Sequence, residues 1–545
     1  MSRFMDDIFL NGPKYNRGLV ASCGDSKFMR RTWAELQELA RHLSGTLADA
    51  GVEPGDTVAV LATNPSDVAA VIQAVWMRRA SVAMLHQPTP RADLAVWAKD
   101  TQIVGSMLGA KLLILESPFE AAEQSLGGFA PATIVNLRPS RELTPLSADE
   151  EDIALLQLTS GSTGTPKAVA VTHANIYQST KAIEEICKMD AARDVTVSWL
   201  PLFHDLGMIG SLITPMQIGS EAICATPLDF IKSPLIWPEL ITQHRGTMTA
   251  GPNFAYSILA KHLIDAPDGA YDLSRLRCAF ISSEPVDPET VYLFNSAGAR
   301  FGLNNNSIAP TYGMAEATLG ISCAKIGTGM SVDTIDRQML ESRRLAIQSD
   351  KADARSFVRL GQCLPGIEAR IVDDVGSPQE TIRTIGEIQI RGDAVTSTYF
   401  TSEGPMSAVD ADGWLNTGDV GYFTESGEVV ICGRRKDTAI IAGRNILLTD
   451  IERAAGQVSG VRQGNAVAVR IVDGPHRREG FAVVVESKLH QVTAETDRIR
   501  KEIKEAIFSA VEIYPKRVIV VEPGKLPKTP SGKLRRTDAA SLVDL

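Results

Sequence analysis

A lysine stands one proline past a run of glycine and hydroxyl residues in the segment Leu156 to His173, LQLTSGSTGTPKAVAVTH. An apolar stretch enters this run and another leaves it, so the pattern reads strand, loop, strand. Glycine has no Cβ, which lets backbone N–H groups close on a polyanion, and serine and threonine hydroxyls add donors. Thr159, Ser160, Gly161, Ser162, Thr163 and Gly164 therefore form a phosphate cradle, and Lys167 supplies the positive charge. The run is not a Walker A loop, because GxxxxGK[ST] is not matched and Ala168 follows the lysine. A flexible linker would have a similar composition but would not usually lie between two strongly apolar strands.

Other chemistry-bearing residues sit in weaker local patterns. Tyr312 and Glu316 stand in TYGMAEATL, Asp419 in WLNTGDVGYF, and Lys533 in the basic tail LPKTPSGKLRR. Taken alone, the first two read as ordinary turns and the third as solvated charge. His204 and Asp205 form a His-Asp pair that in isolation reads as a helix cap or a satisfied core histidine.

The elements around these residues alternate. Thr32 to Ala50 has apolar residues at helical spacing, GVEPGD is a turn, and Thr57 to Thr63 (TVAVLAT) is a short strand. Asn64 and Pro65 open a second helix through Val68, Val71 and Val75, and SVAML and KLLIL are buried strands. Strands alternating with helices imply an α/β domain with a parallel sheet. The texture changes near Cys432. GRRKD is a charged turn between Val429 to Cys432 and Ala439 to Ala442, followed by a helix around Asp450 to Val458. The strands AVAVRIV and FAVVVES and a long helix from Thr493 to Val511 come next. A boundary at Lys436 leaves a final piece of about 110 residues, a reasonable size for a small domain.

Composition narrows the function class. The chain has 545 residues, too many for one ordinary core, with 44% hydrophobic and 22% charged residues. A net charge of -10 and 6% aromatics give no surface for nucleic acid. The seven cysteines are odd in number, widely spaced and without a CxxC pair, so neither a disulfide framework nor a zinc knuckle is expected. No signal-like start and no run of about 18 apolar residues is present, which implies no membrane span and a cytoplasmic protein.

In order along the chain, these motifs resemble those of the acyl-adenylate-forming superfamily, which includes acyl-CoA synthetases, luciferases, nonribosomal peptide adenylation domains and fatty acyl-AMP ligases. The loop from Thr159 to Lys167 resembles its phosphate loop, with Gly161 to Lys167 on the β- and γ-phosphates. SSEPV, Ser282 to Val286, resembles the adenine turn through Ser283, Glu284 and Pro285, although the family more often has Gly-Ala in place of Ser282-Ser283. Thr311, Tyr312, Gly313 and Met314 resemble the next nucleotide motif. The resemblance implies that Tyr312 stacks on adenine and that Glu316, with Thr163, holds Mg²⁺. It further implies that Asp419 accepts from the ribose hydroxyls, Arg434 contacts the ribose or phosphate side, Lys436 is the hinge, and Lys533 bridges the substrate carboxylate and the α-phosphate. The implied fold is a large N-terminal domain, residues 1–435, of parallel-sheet layers plus a small β-barrel. A small mobile α+β C-terminal domain, residues 436–545, completes it. ATP and Mg²⁺ are the implied cofactors.

Three segments resemble the fatty acyl-AMP ligase branch: SWLPLFHDLGMIG (Ser198 to Gly210), AGPNFAY (Ala250 to Tyr256) and IIAGRNILLTDIE (Ile440 to Glu452). On that resemblance His204, Asn253 and Phe254 belong to the acyl pocket, with a medium or long fatty acid as the default substrate. The segment from about Cys323 to Val358 resembles the one that anchors the C-terminal domain in that branch and disfavours thioester formation with CoA. The implied acceptor is the phosphopantetheine thiol of an acyl carrier protein. The alternatives are an acyl-CoA or aryl-CoA ligase, and a non-catalytic nucleotide-binding scaffold. The carboxylate is already a nucleophile, so no general base is sought; the need is to offset repulsion between two anions.

Overall fold

Helices begin where the sequence places capping side chains. Thr32 and Glu35 form a capping box at the start of helix Trp33–Asp49. The Asn64 side chain accepts from the backbone of Ser66 and Asp67, and Pro65 opens helix Pro65–Trp76. The computed structural model describes residues 1–24, 27–88, 93–159, 166–441, 444–462, 464–473, 478–528 and 534–543.

Two large mixed sheets carry the first part of the chain. One has eight strands, in which Ser81–Met84, Thr57–Leu61, Leu112–Leu115 and Ala132–Val135 run parallel. Val60, Val82 and Leu113 are fully buried, as expected of parallel strands covered on both faces. Its other side holds Ile153–Thr159 and Lys167–Thr172 as an antiparallel pair, joined to Thr398–Thr401. The two strands expected on either side of the phosphate loop are therefore present, with Thr159 directly opposite Lys167. The second sheet has nine strands. Val195–Ser198, Met248–Pro252, Cys278–Ser282 and Ile308–Gly313 lie side by side and parallel at its centre.

A four-stranded antiparallel sheet follows, ordered Ile367–Val372, Gly386–Gly392, Leu415–Phe423 and Val429–Arg434. Beyond it, one hydrophobic cluster draws only on residues between Ala439 and Val520. Helix Thr493–Val511 has the expected bounds and buries Ile499, Ile503 and Ile507, spaced by four, against this cluster. The expected helix near Asp450 is Leu448–Gly456. Leu447 packs with Ile335, Leu340 and Val430, so the last part of the chain shares a core with what precedes it.

The segment after Cys323 folds as an antiparallel pair, Val332–Ile335 with Arg355–Val358, around helix Arg337–Arg343. Its polar centre is Asp333, 1% exposed, which receives Arg383 Nη1 at 2.8 Å, Arg359 Nη2 at 2.9 Å and the Tyr422 hydroxyl at 2.6 Å. Burial pushes the Asp333 carboxyl upward, but hydrogen bonds from Arg383 and Tyr422 prevail and hold it at about 2. The outer face of the segment grips the C-terminal part. Arg337 donates to the Ala510 carbonyl at 2.7 Å and pairs with Glu512 at 2.9 Å. Glu341 pairs with Arg444 at 2.6 Å, and Arg355 pairs with Asp450.

Candidate active site

Lys167 opens its strand, and its Nζ lies 3.1 Å from Glu316 Oε1. Glu316 sits in the short turn Ala315–Ala317, 7% exposed. The third member of this group is Tyr399, which no sequence motif singled out. Its hydroxyl donates to Glu316 Oε1 at 2.9 Å, and Lys167 Nζ lies 3.7 Å from its ring centroid. Strand pairing explains the placement, because Tyr399 is opposite Val169 on the strand that Lys167 opens. Burial and the neighbouring carboxylate both push the Tyr399 phenol upward, so it stays a donor. Glu316 Oε2 takes no hydrogen bond among the described residues. The cradle residues Ser160, Gly161, Ser162, Thr163 and Gly164 lie outside the described residues, whereas Thr159 and Lys167 at its ends are paired.

A second group forms where two sheets meet. The Tyr312 hydroxyl donates to Asp419 Oδ2 at 2.6 Å, and Arg434 Nε lies 2.9 Å from Asp419 Oδ1. Asp419 and Arg434 are direct partners across neighbouring strands. Burial pushes the Asp419 carboxyl up, while Arg434 and Tyr312 pull it back. Burial and Asp419 hold the Tyr312 phenol well above its ordinary range. Tyr312 ends in a tight turn that needs Gly313, because a Cβ there would lie 2.0 Å from the Leu319 carbonyl oxygen. Met314 N donates to that same oxygen at 2.9 Å.

The Ser282 to Pro285 turn lies beside Tyr312, with the Ser282 hydroxyl donating to the Thr311 carbonyl at 3.2 Å. Ser283 has φ of +70°, a left-handed conformation costly for a residue with a Cβ. Glu284 Oε1 accepts from Phe254 N at 2.6 Å, and Asn253 Oδ1 accepts from Asp287 N at 3.0 Å. Asn253 and Phe254 thus tie the helix Asn253–Asp265 to this turn.

A cavity of about 60 Å³ opens against Ser282, Thr311 and Tyr312 and runs between apolar side chains that include Ile183, Met248 and Phe280. Asn253, Phe254 and His204 do not line it.

Residues 14–400 match the model of the AMP-binding enzyme family. Over 547 residues the chain is 48% identical to the putative ligase Rv1013 of Mycobacterium tuberculosis, covering 100% of both chains. This chain belongs to the AMP-binding enzyme family. It is an ATP-dependent, adenylate-forming ligase of the ANL superfamily. A putative acyl-CoA synthetase of Caulobacter vibrioides is 32% identical over 519 residues, 93% of this chain and 89% of that one. The fold also matches a solved structure from a study of the fatty acyl-adenylate ligases of E. coli and L. pneumophila. The TM-score is 0.90 at 25% identity, over 100% of this chain and 98% of that one.

In this AMP-binding enzyme, His204 stands between sheet and helix, with Nδ1 2.5 Å from Asp205 Oδ1. Asp205 also accepts from Leu206 N at 2.7 Å and so caps the π-helix Leu206–Ile213, consistent with its structural reading. Phe203 stacks edge-on with His86 at 5.3 Å. Burial, with the His204 and Arg535 charges nearby, lowers His86 to about 4. Lys533 lies outside the described residues, but Lys528 and Leu534 on either side of its loop form a bridge. The Arg535 charge acts on His86, and the Glu284 charge of the nucleotide turn acts on Lys528. No helix among the described residues is long and apolar enough to cross a membrane.

Proposed function

We propose that this ligase activates a fatty or related carboxylic acid as acyl-AMP, releasing pyrophosphate, and passes the acyl group to the phosphopantetheine thiol of an acyl carrier protein. The observation that carries the first step is a shared wall. Thr311 and Tyr312, read as nucleotide residues, and Ser282, which opens the adenine turn, border the apolar cavity. A carboxylate at the mouth of that cavity would face the α-phosphate of a nucleotide held by Asp419 and Lys167. This is catalysis by placement and charge.

The residues fit the roles assigned. Asp419, fixed by Tyr312 and Arg434 on its two oxygens, is shaped to accept from a vicinal diol. The Tyr312 ring, held by its hydroxyl bond, is the aromatic surface read for adenine, with Ser283, Glu284 and Pro285 alongside. Gly161 to Lys167 take the β- and γ-phosphates. Glu316 offers a buried hard oxygen, with Oε2 unbonded among the described residues, which suits Mg²⁺ together with Thr163 and phosphate oxygens. When bound, Mg²⁺ offsets phosphate charge. Lys533 acts on the carboxylate and α-phosphate, as the resemblance implies. The division into residues 1–435 and 436–545 with a pivot at Lys436 belongs to this reading.

The grip on the C-terminal part supports this choice of acceptor. Arg337, Glu341 and Arg355 hold Glu512, Arg444 and Asp450 across the two parts, and Leu447 shares their apolar cluster. Such contacts restrain the rotation that would open a path for CoA. The name of the Caulobacter relative favours CoA as the competing acceptor. Acid-dependent pyrophosphate release with acyl-AMP as the product tests the first step. Comparison of CoA with a phosphopantetheinylated carrier protein as acceptor tests the second. Equal or faster acyl-CoA formation would overturn the acceptor.

A further inference from the structure

The apolar cavity follows the strands of the central sheet, and strand register measures it. Its lining includes Ser282 and Thr311 and, further along the strands, Met248 and Thr196. Met248 pairs with Thr196 and Cys278, while Pro252, four residues on, pairs with Ser282. Four steps at the rise of an extended strand make about 13 Å.

Met248 is backed by charge that lies outside the cavity lining. Arg277 Nη2 lies 3.8 Å from Met248 Sδ and 2.7 Å from Asp194 Oδ2, and Arg277 Nε is 2.9 Å from Asp194 Oδ1. Asp194 is 4% exposed and also accepts from Thr247 Oγ1 at 2.9 Å and Asp190 N at 2.8 Å. Arg277 further donates to the Cys187 carbonyl at 2.7 Å. A hydrocarbon tail cannot displace this pair, in which Asp194 is buried and Arg277 partly buried, without leaving the Asp194 charge unpaired.

The side walls carry no charged side chain among the described residues. Three of their hydroxyls donate to carbonyls: Ser211 to Leu206 at 3.1 Å, Thr214 to Ile209 at 2.7 Å, and Ser322 to Leu360 at 2.9 Å. An ammonium or hydroxyl on the substrate tail would find no carboxylate and few free acceptors there, at the cost of an unmade hydrogen bond.

We propose that Met248, backed by the Arg277–Asp194 pair, is the floor of the acyl site and selects monocarboxylic acids with an unsubstituted apolar tail of about ten carbons. This rests on the acyl-AMP reading above and adds the substrate class to it.

The test is acid-dependent pyrophosphate release by the full chain, read as kcat/KM for straight-chain acids from hexanoic to octadecanoic. The expected maximum is near decanoic acid, with hexadecanoic acid at least about 10-fold poorer. Met248→Ala moves the maximum about two to three carbons longer, the length of the side chain removed, with the KM for ATP unchanged. Met248→Val, a smaller change, gives a shorter shift in the same direction and serves if the alanine variant does not fold. Wild-type enzyme that uses hexadecanoic and decanoic acids equally well overturns the floor, as does an unaltered profile in a folded, active Met248 variant. In both cases acyl-AMP formation stands. Folded protein that binds ATP but releases pyrophosphate with no acid overturns the adenylation reading, and the floor proposal with it.

Discussion

The Tyr399 hydroxyl donates to Glu316 Oε1 at 2.9 Å, while the ring of the same tyrosine lies under the Lys167 ammonium. One side chain therefore orients both the carboxylate proposed for Mg²⁺ and the lysine proposed for phosphate. Tyr399→Phe keeps the ring and drops the hydroxyl, and a hydrogen bond to a charged group is worth about 1.5–3 kcal/mol. The expected loss in kcat/KM for ATP is about 10-fold, and Tyr399→Leu, which also loses the cation–π contact, falls further. Pyrophosphate release across a Mg²⁺ titration checks this; the phenylalanine variant needs more Mg²⁺ for half-maximal rate.

Asp419 offers two oxygens already fixed by Tyr312 and Arg434. Asp419→Asn keeps the shape and removes the charge. It raises the KM for ATP about 10-fold or more and narrows the preference for ATP over 2′-deoxyATP. Steady-state kinetics with both nucleotides separate this outcome from a general loss of folding.

Lys533→Ala abolishes adenylation while ATP binding largely persists, because the ammonium is needed when two anions are brought together. Pyrophosphate release and a nucleotide-binding titration on the same preparation read the two effects apart.

Arg337 and Glu341 both reach across to the C-terminal part, with side chains 12% and 8% exposed. Changing both to alanine loosens that part and raises acyl-CoA formation about 10-fold over wild type, a shift of about 1.4 kcal/mol. An unchanged acceptor ratio in the double variant removes these contacts from the choice of acceptor.

Two buried imidazoles set an acid limit on stability. Burial lowers His86 and His173 from 6.5 to about 4. Between those values the unfolded chain binds protons that the folded chain refuses, so stability falls as pH drops below about 6.5 and levels out below about 4. Above pH 7 neither group contributes a slope. Thermal melts from pH 7 to 4.5 should show this fall, and His173→Phe, which can keep the contact with Phe4, should flatten part of it.

How much of this was legible in the sequence depends on how local each cause is. Helix Thr493–Val511 was readable to the residue because Ile499, Ile503 and Ile507 repeat by four. The strands either side of the phosphate loop were readable because both are continuous apolar runs. Asp419, Tyr312 and Arg434 became a group only through a family resemblance, since a register pairing brings Arg434 to Asp419 and nothing local marks it. Tyr399 had no signal at all; it reaches Glu316 through pairing with a strand more than two hundred residues earlier. Asn253 and Phe254 were expected at the acyl pocket, yet their bonds go to Asp287 and Glu284 and they do not line the cavity. The limit set by Met248 was hidden for the same reason as Tyr399, because Arg277 and Asp194 meet only across parallel strands.

The most direct test is mass spectrometry of the products formed from the enzyme, ATP, Mg²⁺ and decanoic acid, with and without CoA. Decanoyl-AMP that accumulates to the same level in both reactions is the expected result. Decanoyl-CoA as the main product when CoA is present, formed as fast as the adenylate without it, would contradict it.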